Sequence, residues 1–335
     1  MAIGTQLRIY KERFAIAGAF RISRGAKTEA LVLRAEISRG DAVGHGECVP
    51  YARYGESLDG VESAIERLRG DIEAGLSRTA LQAALPAGAA RNALDAALWD
   101  LEAKESGRSA ADIAGVDAGP PLTTAYTLSL EAPCAMGAAA KKSAGRPLLK
   151  LKLGGDGADI ERIAAVVENA PGAKLIVDAN EALGLKELEA LIAAFAGGAG
   201  CDSPLALIEQ PLPADADGPL IGFDSPIPLC ADEAAHDRAS LPRLIGRYQA
   251  INIKLDKTGG LTEALALKKE AEEAGLKIMV GCMVGTSLAM APAMLAAQGA
   301  DFVDLDGPLL LSEDRSPAIP FEGSKMLTAP QALWG

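Results

Sequence analysis

Leu148-Leu149-Lys150-Leu151-Lys152-Leu153 is a short apolar run that carries lysine at two alternate positions. Successive side chains of a β-strand point to opposite faces, so Lys150 and Lys152 would share one face of a strand. Core packing gives no reason to place two like charges there, although lysines also protect edge strands against aggregation. The rest of the chain distinguishes between an edge strand and a pair of functional lysines.

The composition is that of an ordinary globular chain. It has 335 residues, 49% of them hydrophobic and 23% charged, with a net charge of -12, a length typical of about two domains. The negative charge argues against nucleic acids and anionic membranes as partners. Five scattered cysteines without a Cys-x-x-Cys pair argue against a disulfide framework or a zinc ribbon. With only two histidines, Lys, Asp, Glu, Tyr or Cys would have to carry any proton chemistry.

Two stretches bear on the location of the protein. The N-terminal residues are charged and lack an apolar h-region, so we expect no signal peptide. Residues 282–300 carry no charge, but they contain glycine, proline and polar side chains. We interpret them as the end of a buried strand and a helix of small residues, not as a membrane span. These features predict a cytoplasmic protein.

Residues 1 to about 115 are predicted to form one α+β unit. Three runs suit an antiparallel meander, namely Leu7–Ile9, Ala30–Ile37 and Val43–Glu47. Two helical patterns follow, Ser57–Gly70 and Gly88–Glu105. Gly119-Pro120-Pro121 reads as a linker.

From Leu122 onward, apolar runs alternate with helical patterns. Eight runs are predicted as strands: Thr124–Leu130, Leu148–Leu153, Leu175–Val177, Leu205–Ile208, Ile227–Cys230, Ala250–Ile253, Lys277–Val280 and Phe302–Leu305. The helical patterns between them are Ile160–Asn169, Lys186–Ala196, Arg238–Ile245 and Leu261–Ala274. Such alternation indicates parallel strands with crossover helices. A (β/α)8-type barrel is the leading prediction, and an open doubly wound sheet is the alternative.

Charged residues stand where most of these strands end. They are Lys150, Lys152, Asp178, Glu209, Asp232, Lys254, Asp304 and Asp306, whereas the seventh strand ends at Cys282. The carboxyl ends of barrel strands meet at one face, where active sites lie, so we expect these side chains to converge on one cavity. Taken singly, each acid would also suit the N-cap of the following helix.

The expected chemistry follows from the charges. Asp178, Glu209 and Asp232 share a cavity only if a cation neutralises them, and their oxygens suit Mg²⁺. Lys152 and Lys254, on distant strands, would serve as proton-transfer groups with a lowered pKa. Asn180 and Glu233 would support the metal ligands, and Asp256 and Lys257 would lie in a solvated loop or behind the ligands.

The motifs Lys-Leu-Lys, Asp-Ala-Asn, Glu-Gln-Pro, Ala-Asp-Glu and Lys-Leu-Asp-Lys-Thr-Gly-Gly resemble those of the enolase superfamily, in its muconate-lactonizing-enzyme subgroup. Members of this superfamily use a lysine or histidine base with Mg²⁺. The resemblance implies a (β/α)7β barrel, TIM-barrel-like, at residues 119–311. It also implies an α+β capping domain at residues 1–118 with a mobile loop at 18–27, and a C-terminal tail at 312–335 that returns to the capping domain.

Within the subgroup, Asp304-Leu305-Asp306 looks like the Asp-x-Asp motif of dipeptide epimerases. The resemblance implies that both aspartates hold the substrate ammonium, that Arg24 in the mobile loop pairs with a substrate glutamate side chain, and that Thr124 contacts the substrate. One departure concerns Gly285, because some dipeptide epimerases carry glutamate at that position. The change would leave room or remove a charge.

The resemblance thus implies epimerisation of L-Ala-L-Glu and L-Ala-D-Glu, as in cell-wall peptide turnover, with one Mg²⁺ per site. Lys152 and Lys254 would be the two bases of a 1,1-proton transfer through an enediolate, and Lys150 would hold the substrate carboxylate. Alternatives are another dipeptide, elimination of the o-succinylbenzoate synthase type, cycloisomerisation, a Schiff-base aldolase, or a binding scaffold. The Asp-x-Asp pair argues against elimination, cycloisomerisation and racemisation of N-acylamino acids, because their substrates have no ammonium. The sequence predicts a small-molecule partner and leaves the oligomeric state open.

Overall fold

The computed structural model describes residues 4–117, 119–197 and 203–335. Cys201 and the predicted domain boundary at residue 118 lie outside this part of the chain. A three-stranded antiparallel sheet comes first and an eight-stranded parallel sheet follows. The predicted barrel with an N-terminal α+β unit is therefore confirmed. No helix in the described part is long and apolar enough to cross a membrane.

The N-terminal unit packs helices on one face of its sheet. Its elements are β1 (Thr5–Ile22), β2 (Gly25–Arg39), β3 (Ala42–Cys48), α1 (Leu58–Arg67), α2 (Arg69–Glu73), α3 (Arg78–Ala84), α4 (Ala89–Ser106) and α5 (Ala110–Ala114). The longest helix, α4, lies directly on β3. A Cβ atom on Gly44 or Gly46 would come within 2.1 Å of a carbonyl oxygen of α4, so glycine is required for this close approach.

The predicted loop 18–27 is the end of a long β-hairpin. β1 continues to Ile22, far beyond the predicted Leu7–Ile9, and it turns through Ser23 and Arg24 into β2. The pairing register shifts between Ala15 and Phe20. This outer half of the hairpin buries little, so its sequence lacks the alternation by which strands are recognised.

The barrel unit contains all remaining elements. Its strands are β4 (Leu122–Thr123), β5 (Tyr126–Leu128), β6 (Leu148–Lys152), β7 (Lys174–Asp178), β8 (Leu205–Glu209), β9 (Leu229–Ala231), β10 (Ala250–Ile253), β11 (Lys277–Gly281), β12 (Phe302–Asp304), β13 (Phe321–Glu322) and β14 (Lys325–Met326). Its helices are α6 (Pro133–Lys142), α7 (Asp159–Asn169), α8 (Leu185–Phe195), α9 (Leu241–Leu244), α10 (Leu255–Thr258), α11 (Leu261–Glu273) and α12 (Ser287–Ala297). Strands β5 to β12 form the parallel sheet in sequence order, while β4, β13 and β14 form a small antiparallel sheet.

The parallel sheet closes into a barrel. The amide of Ala125, just before β5, donates to the carbonyl of Val303 in β12 at 2.8 Å. Between β8 and β9 the described chain forms only a 3-10 turn, Gly218–Leu220. The pattern at Arg238–Ile245 predicts one helix, but the structure has a 3-10 turn followed by the short α9. Periodicity does not predict α6, whose sequence is rich in alanine.

The C-terminal residues contact the N-terminal unit at several points. Ser312 donates its amide to Ala15 at 2.8 Å, and the Trp334 indole donates to the carbonyl of Ala96 at 3.0 Å. The amide of Gly335 donates to Asp100 at 2.8 Å. These hydrogen bonds hold the tail against β1 and α4.

Candidate active site

A cavity of about 900 Å³ lies between the hairpin of the N-terminal unit and the carboxyl ends of the barrel strands. Both units line it. The barrel contributes Lys150, Lys152, Lys254, Asp304 and Asp306, among others. The hairpin contributes residues on both sides of its turn, including Arg24. The cavity therefore lies where parallel-barrel enzymes place their active sites.

Three buried carboxylates come together beneath this cavity. Asp178 ends β7, Glu209 ends β8, and Asp232 directly follows β9. In-register pairing places Asp178 beside Glu209 and Glu209 beside Cys230, close to Asp232. One oxygen of each carboxylate lies within 4.8 Å of the others. The structure thus brings together the three acids that the sequence predicts as metal ligands.

The surroundings of Glu209 and the chemistry of the three carboxylates bear on whether they suit a metal ion. Burial, reinforced by repulsion from Asp178, raises the pKa of Glu209. Asn252 donates to Oε1 of Glu209 at 2.8 Å, and Oε2 lies 2.7 Å from Nζ of Lys150. The oxygens of these three buried carboxylates converge, and such an all-oxygen set fits a hard divalent cation. These residues therefore fit Mg²⁺.

Lysines surround the acids. Nζ of Lys150 lies 2.7 Å from Glu209 and 3.2 Å from Asp178. Nζ of Lys152 lies 2.6 Å from Asp178, and Nζ of Lys254 lies 2.7 Å from Asp232. β6 and β10 stand four strands apart in the eight-stranded barrel. Lys152 and Lys254 therefore reach the cavity from opposite sides.

The sequence predicts a lowered pKa for Lys254, but among the side chains of this structure its pKa is raised. Burial is the largest single influence and opposes the charge of Lys254, but Asp232, Glu209 and Asp178 together outweigh it and raise the pKa well above its usual range. Lys150 behaves in the same way, with Asp304 and Glu209 as the main acids. The buried acids that contact each ammonium therefore favour its charged form.

Lys257 is buried in α10 rather than solvated. Its ammonium donates to Oδ1 of Asp232 at 2.6 Å and to the carbonyl of Asn252 at 2.9 Å. Asp256 is buried too, and it accepts the amide of Val49 at 3.0 Å. The sequence leaves open whether these two residues lie in a solvated loop or behind the metal-ligand candidates. The structure favours the second position, because Lys257 contacts Asp232 and Asp256 contacts the N-terminal unit.

A further buried chain of side chains, which the sequence analysis does not find, supports Asp232. Oε1 of Gln210 accepts the amides of Asp232 at 2.9 Å and of Ala234 at 3.0 Å. Its Nε2 donates to the hydroxyl of Tyr248 at 3.0 Å, and this hydroxyl donates to Asp217 at 3.0 Å. Gln210 adopts a positive φ of 35°. The Glu-Gln-Pro motif points to Gln210, but no sequence signal points to Tyr248.

The two aspartates after β12 line the cavity. Oδ2 of Asp304 accepts a hydrogen bond from Lys150 at 2.7 Å, and its buried Oδ1 has no hydrogen-bond partner. Asp306 accepts the amide of Thr127 at 2.6 Å. Burial, followed by repulsion from Asp304, raises the pKa of Asp306 to about 7.

Thr124 is not among the residues that line the cavity, whereas Thr127 is. The hydroxyl of Thr124 donates to the carbonyl of Ala125 at 3.0 Å and accepts the amide of Leu305 at 2.8 Å. The bond from Leu305 connects the residues just before the first barrel strand with those just after the last one. The structure thus gives Thr124 a place in barrel closure, away from the cavity surface.

Arg24 reaches the cavity from the hairpin turn, but it already has partners. It donates to the carbonyl of Asn180 at 2.7 Å, to the hydroxyl of Tyr51 at 3.0 Å and to Oε1 of Glu233 at 2.7 Å. Asn180 also donates to Glu233 at 3.2 Å. Asn180 and Glu233 therefore contact the hairpin and stand beside the metal-ligand candidates.

Gly285 does not leave free room. A Cβ atom there would lie 3.2 Å from both Oε1 of Glu47 and Cγ2 of Val49. Glu47 belongs to β3, and it accepts the hydroxyl of Thr286 at 2.6 Å and Arg315 at 2.7 Å. A carboxylate of the N-terminal unit thus occupies the space beside position 285, and Gly285 is not among the residues that line the cavity.

A closed parallel barrel with three buried acids, lysines from opposite strands and a covering unit defines the class of protein as a barrel enzyme. Two family models match the chain: "Mandelate racemase / muconate lactonizing enzyme, N-terminal domain" over residues 4–115, and "Enolase C-terminal domain-like" over residues 135–314. The chain belongs to the enolase superfamily, in the group of mandelate racemase and muconate lactonizing enzyme. The resemblance noted in the sequence is confirmed.

Two similar relatives have related activities in their names. The chain is 44% identical over 317 residues to the L-Ala-D/L-Glu epimerase of Escherichia coli, covering 94% of this chain and 97% of the relative. It is 47% identical over 295 residues to the N-acetyl-D-glutamate racemase of a Pseudoalteromonas species, covering 87% and 91%. Both relatives are isomerases, which agrees with the predicted enzyme class.

Two similar solved structures contain dipeptides. An enolase family member from Agrobacterium tumefaciens with homology to dipeptide epimerases, with bound sodium and L-Ala-L-Glu, is 51% identical with a TM-score of 0.94, covering 99% of this chain and 100% of that one. A dipeptide epimerase from Cytophaga hutchinsonii, complexed with Mg and D-Ala-L-Val, is 26% identical with a TM-score of 0.88, covering 97% and 93%.

Proposed function

We propose that this protein is a Mg²⁺-dependent dipeptide epimerase that interconverts L-Ala-L-Glu and L-Ala-D-Glu. The observation that carries the proposal is the placement of Lys152 and Lys254. They stand on strands four positions apart in the barrel, and each contacts an acid of the same buried triad. A carbon held between two such lysines can lose a proton to one face and gain one from the other, which inverts its configuration.

Each residue of the site has a distinct role in this proposal. Lys152 and Lys254 remove and return the α-proton of the C-terminal residue, and Lys150 orients its carboxylate. Asp178, Glu209 and Asp232 would hold one Mg²⁺, which would supply positive charge where negative charge develops on that carboxylate. The hairpin lines one side of the cavity, and the burial of the three lysines limits their contact with bulk water.

Asp304 and Asp306 would recognise the amino end of the dipeptide. Both carboxylates line the cavity, and Oδ1 of Asp304 is a buried oxygen without a hydrogen-bond partner. An unsatisfied buried acceptor costs stability, so a substrate ammonium is a favourable partner for it. Arg24, which the resemblance assigns to the glutamate side chain, already pairs with Glu233 at 2.7 Å. Direct substrate contact by Thr124 is not supported by its hydrogen bonds within the barrel.

Racemisation of N-acetylglutamate is a second candidate, favoured by the 47% identity to a racemase of that name. An N-acetyl group has no ammonium. Asp304 is already paired with Lys150, and Asp306 has a pKa of about 7, so the pair tolerates a neutral group better than two free carboxylates would. The two relatives are named as an epimerase and a racemase. Their names give no support to an elimination, a cycloisomerisation, an aldolase activity or a scaffold function.

We also propose that the enzyme acts in the cytoplasm on peptides released from the cell wall. The four cysteines in the described part of the chain are free thiols, and free thiols are typical of reducing compartments. A small dipeptide is the expected partner, and the net charge of -12 argues against nucleic acid.

Proton NMR in D₂O tests the proposal. With enzyme and Mg²⁺, L-Ala-L-Glu should lose its glutamate α-proton signal while the L-Ala-D-Glu diastereomer appears. N-acetyl-L-glutamate is assayed in parallel. Exchange with N-acetylglutamate alone would favour the racemase, and exchange with neither would refute both functions.

A further inference from the structure

The hairpin presents two cations to the cavity, Arg24 and Lys27. Both lie close to the ring of Tyr51, with Cζ of Arg24 at 5.9 Å and Nζ of Lys27 at 5.2 Å from the ring centroid. All three residues line the cavity. Either cation is therefore in a position to meet a negatively charged part of a substrate.

Arg24 is already paired with a carboxylate of the protein. Its Nη2 lies 2.7 Å from Glu233, a side chain that is only 1% exposed. The neighbouring cation Arg53 is also paired, because its Nε and Nη2 each donate to an oxygen of Glu181 at 2.8 Å. A substrate carboxylate at Arg24 would have to displace Glu233 or lie beside it, and two carboxylates at one cation repel each other.

Lys27, in contrast, forms no ion pair with a described residue. Burial alone lowers the pKa of Lys27, with no contribution from a nearby acid. Lys27 stands directly opposite Phe20 across the hairpin, and opposed residues of an antiparallel pair share one face. The Phe20 ring centroid is 5.7 Å from Nζ of Lys152. Lys27 therefore lies on the hairpin face that meets the proposed base.

We propose that Lys27 is a specificity-determining residue that pairs with the side-chain carboxylate of an acidic C-terminal residue of the substrate. The pairs Arg24–Glu233 and Arg53–Glu181 leave Lys27 as the cation here that has no ion-pair partner among the described residues. One unpaired ammonium matches one side-chain carboxylate, and a desolvated ammonium gains most from such a pair. Arg24 then keeps the hairpin closed over the site through Glu233 and Asn180. The identity of the substrate rests on the proposed function.

The test compares L-Ala-L-Glu with its neutral analogue L-Ala-L-Gln. We expect Lys27→Met to lower kcat/KM for L-Ala-L-Glu about tenfold or more, mainly through KM, and to change that for L-Ala-L-Gln less than about twofold. Lys27→Arg should restore most of the loss. Lys11→Met is the matched control, because Lys11 lies on the same hairpin but pairs with Asp59 and Glu62.

An equal loss for both dipeptides would mean that Lys27 has a structural role, and no loss would mean that it does not contact the substrate; either result overturns the inference. If the wild-type enzyme exchanges no α-proton of a dipeptide, the proposed function fails instead. Calorimetric binding of N-acetyl-L-glutamate and N-acetyl-L-glutamine then tests Lys27 by itself. A preference for the acidic ligand that Lys27→Met abolishes supports the inference, and the absence of such a preference overturns it.

Discussion

Replacing Tyr248 by phenylalanine removes one hydroxyl from the buried chain that ends at Asp232. The hydroxyl accepts a hydrogen bond from Gln210 at 3.0 Å and donates one to Asp217 at 3.0 Å. Gln210 in turn accepts the backbone amide of Asp232 at 2.9 Å. Without the hydroxyl, the amide group of Gln210 keeps only its contact to the carbonyl of Leu212 on the Nε2 side. Asp232 then loses part of its orientation.

The magnitude follows from the bonds that are lost. The Gln210–Tyr248 bond is neutral and worth about 1 kcal/mol, and the bond to the Asp217 carboxylate is worth about 2 kcal/mol. Asp217 retains its ion pairs with Arg243 and Arg247, so no bare charge remains. Loss of a supporting residue typically weakens metal binding about 10- to 100-fold. We expect the lower end of that range, because Lys254 and Lys257 still hold the Asp232 carboxylate.

Titration of Mn²⁺ by electron paramagnetic resonance measures the affinity of the site without reference to turnover, and urea unfolding measures stability. Tyr126→Phe is the matched control. The Tyr126 ring lies 4.1 Å from Arg146, and its hydroxyl has no hydrogen-bond partner among the described residues. If Tyr248→Phe lowers stability but leaves the Mn²⁺ affinity equal to that of the control, the chain to Asp232 does not position the metal ligand.

Four further results are expected. Lys254→Met and Lys152→Met should each abolish epimerisation while leaving α-proton exchange of one diastereomer in D₂O, and epimerisation that persists in both directions would contradict the two-base assignment. Asp304→Asn should raise KM for a dipeptide with a free amine, and an unchanged KM would remove its role at the ammonium. Burial raises the pKa of Asp256 to about 7, above its unfolded value of about 3.9, so its contribution to stability is present below about pH 4 and is lost as the pH rises to about 7. Urea unfolding at several pH values should therefore show a weaker decline of stability with pH for Asp256→Asn than for the wild type. Gly46→Ala should lower Tm, because its Cβ would lie 2.1 Å from the carbonyl of Ala93, and overpacking of this kind costs about 1–3 kcal/mol; an unchanged Tm would mean that α4 can move away from β3.

The three acids show why much of the site could be predicted from the sequence. Asp178, Glu209 and Asp232 each follow a short apolar run, and the carboxyl ends of parallel strands must meet at one edge. The period of the β/α unit therefore implies their proximity, and the structure places their oxygens within 4.8 Å of one another. The lysines of β6 and β10 are placed by the same rule.

The supporting residues follow no such rule. Tyr248 stands before β10 and 38 residues after Gln210. Its link to Asp232 through Gln210 depends on side-chain directions that no periodicity encodes. Glu47 reaches position 286 from another unit of the chain. The substitution at Gly285 therefore looks like a lost charge in the sequence, while the structure shows that a carboxylate stands beside it.

The sequence by itself indicated parallel strands alternating with helices, with a barrel as the leading architecture, and it showed the charged groups at the strand ends. These properties follow from local periodicity and from the geometry of parallel strands. Only the tertiary structure decided how those charges pair. Arg24 meets Glu233 and leaves Lys27 without an acid, because the hairpin of the N-terminal unit folds over a barrel loop about 200 residues later in the chain. Contacts between distant segments depend on how two separately packed units fit together, and this fit cannot be predicted from the local pattern of residues.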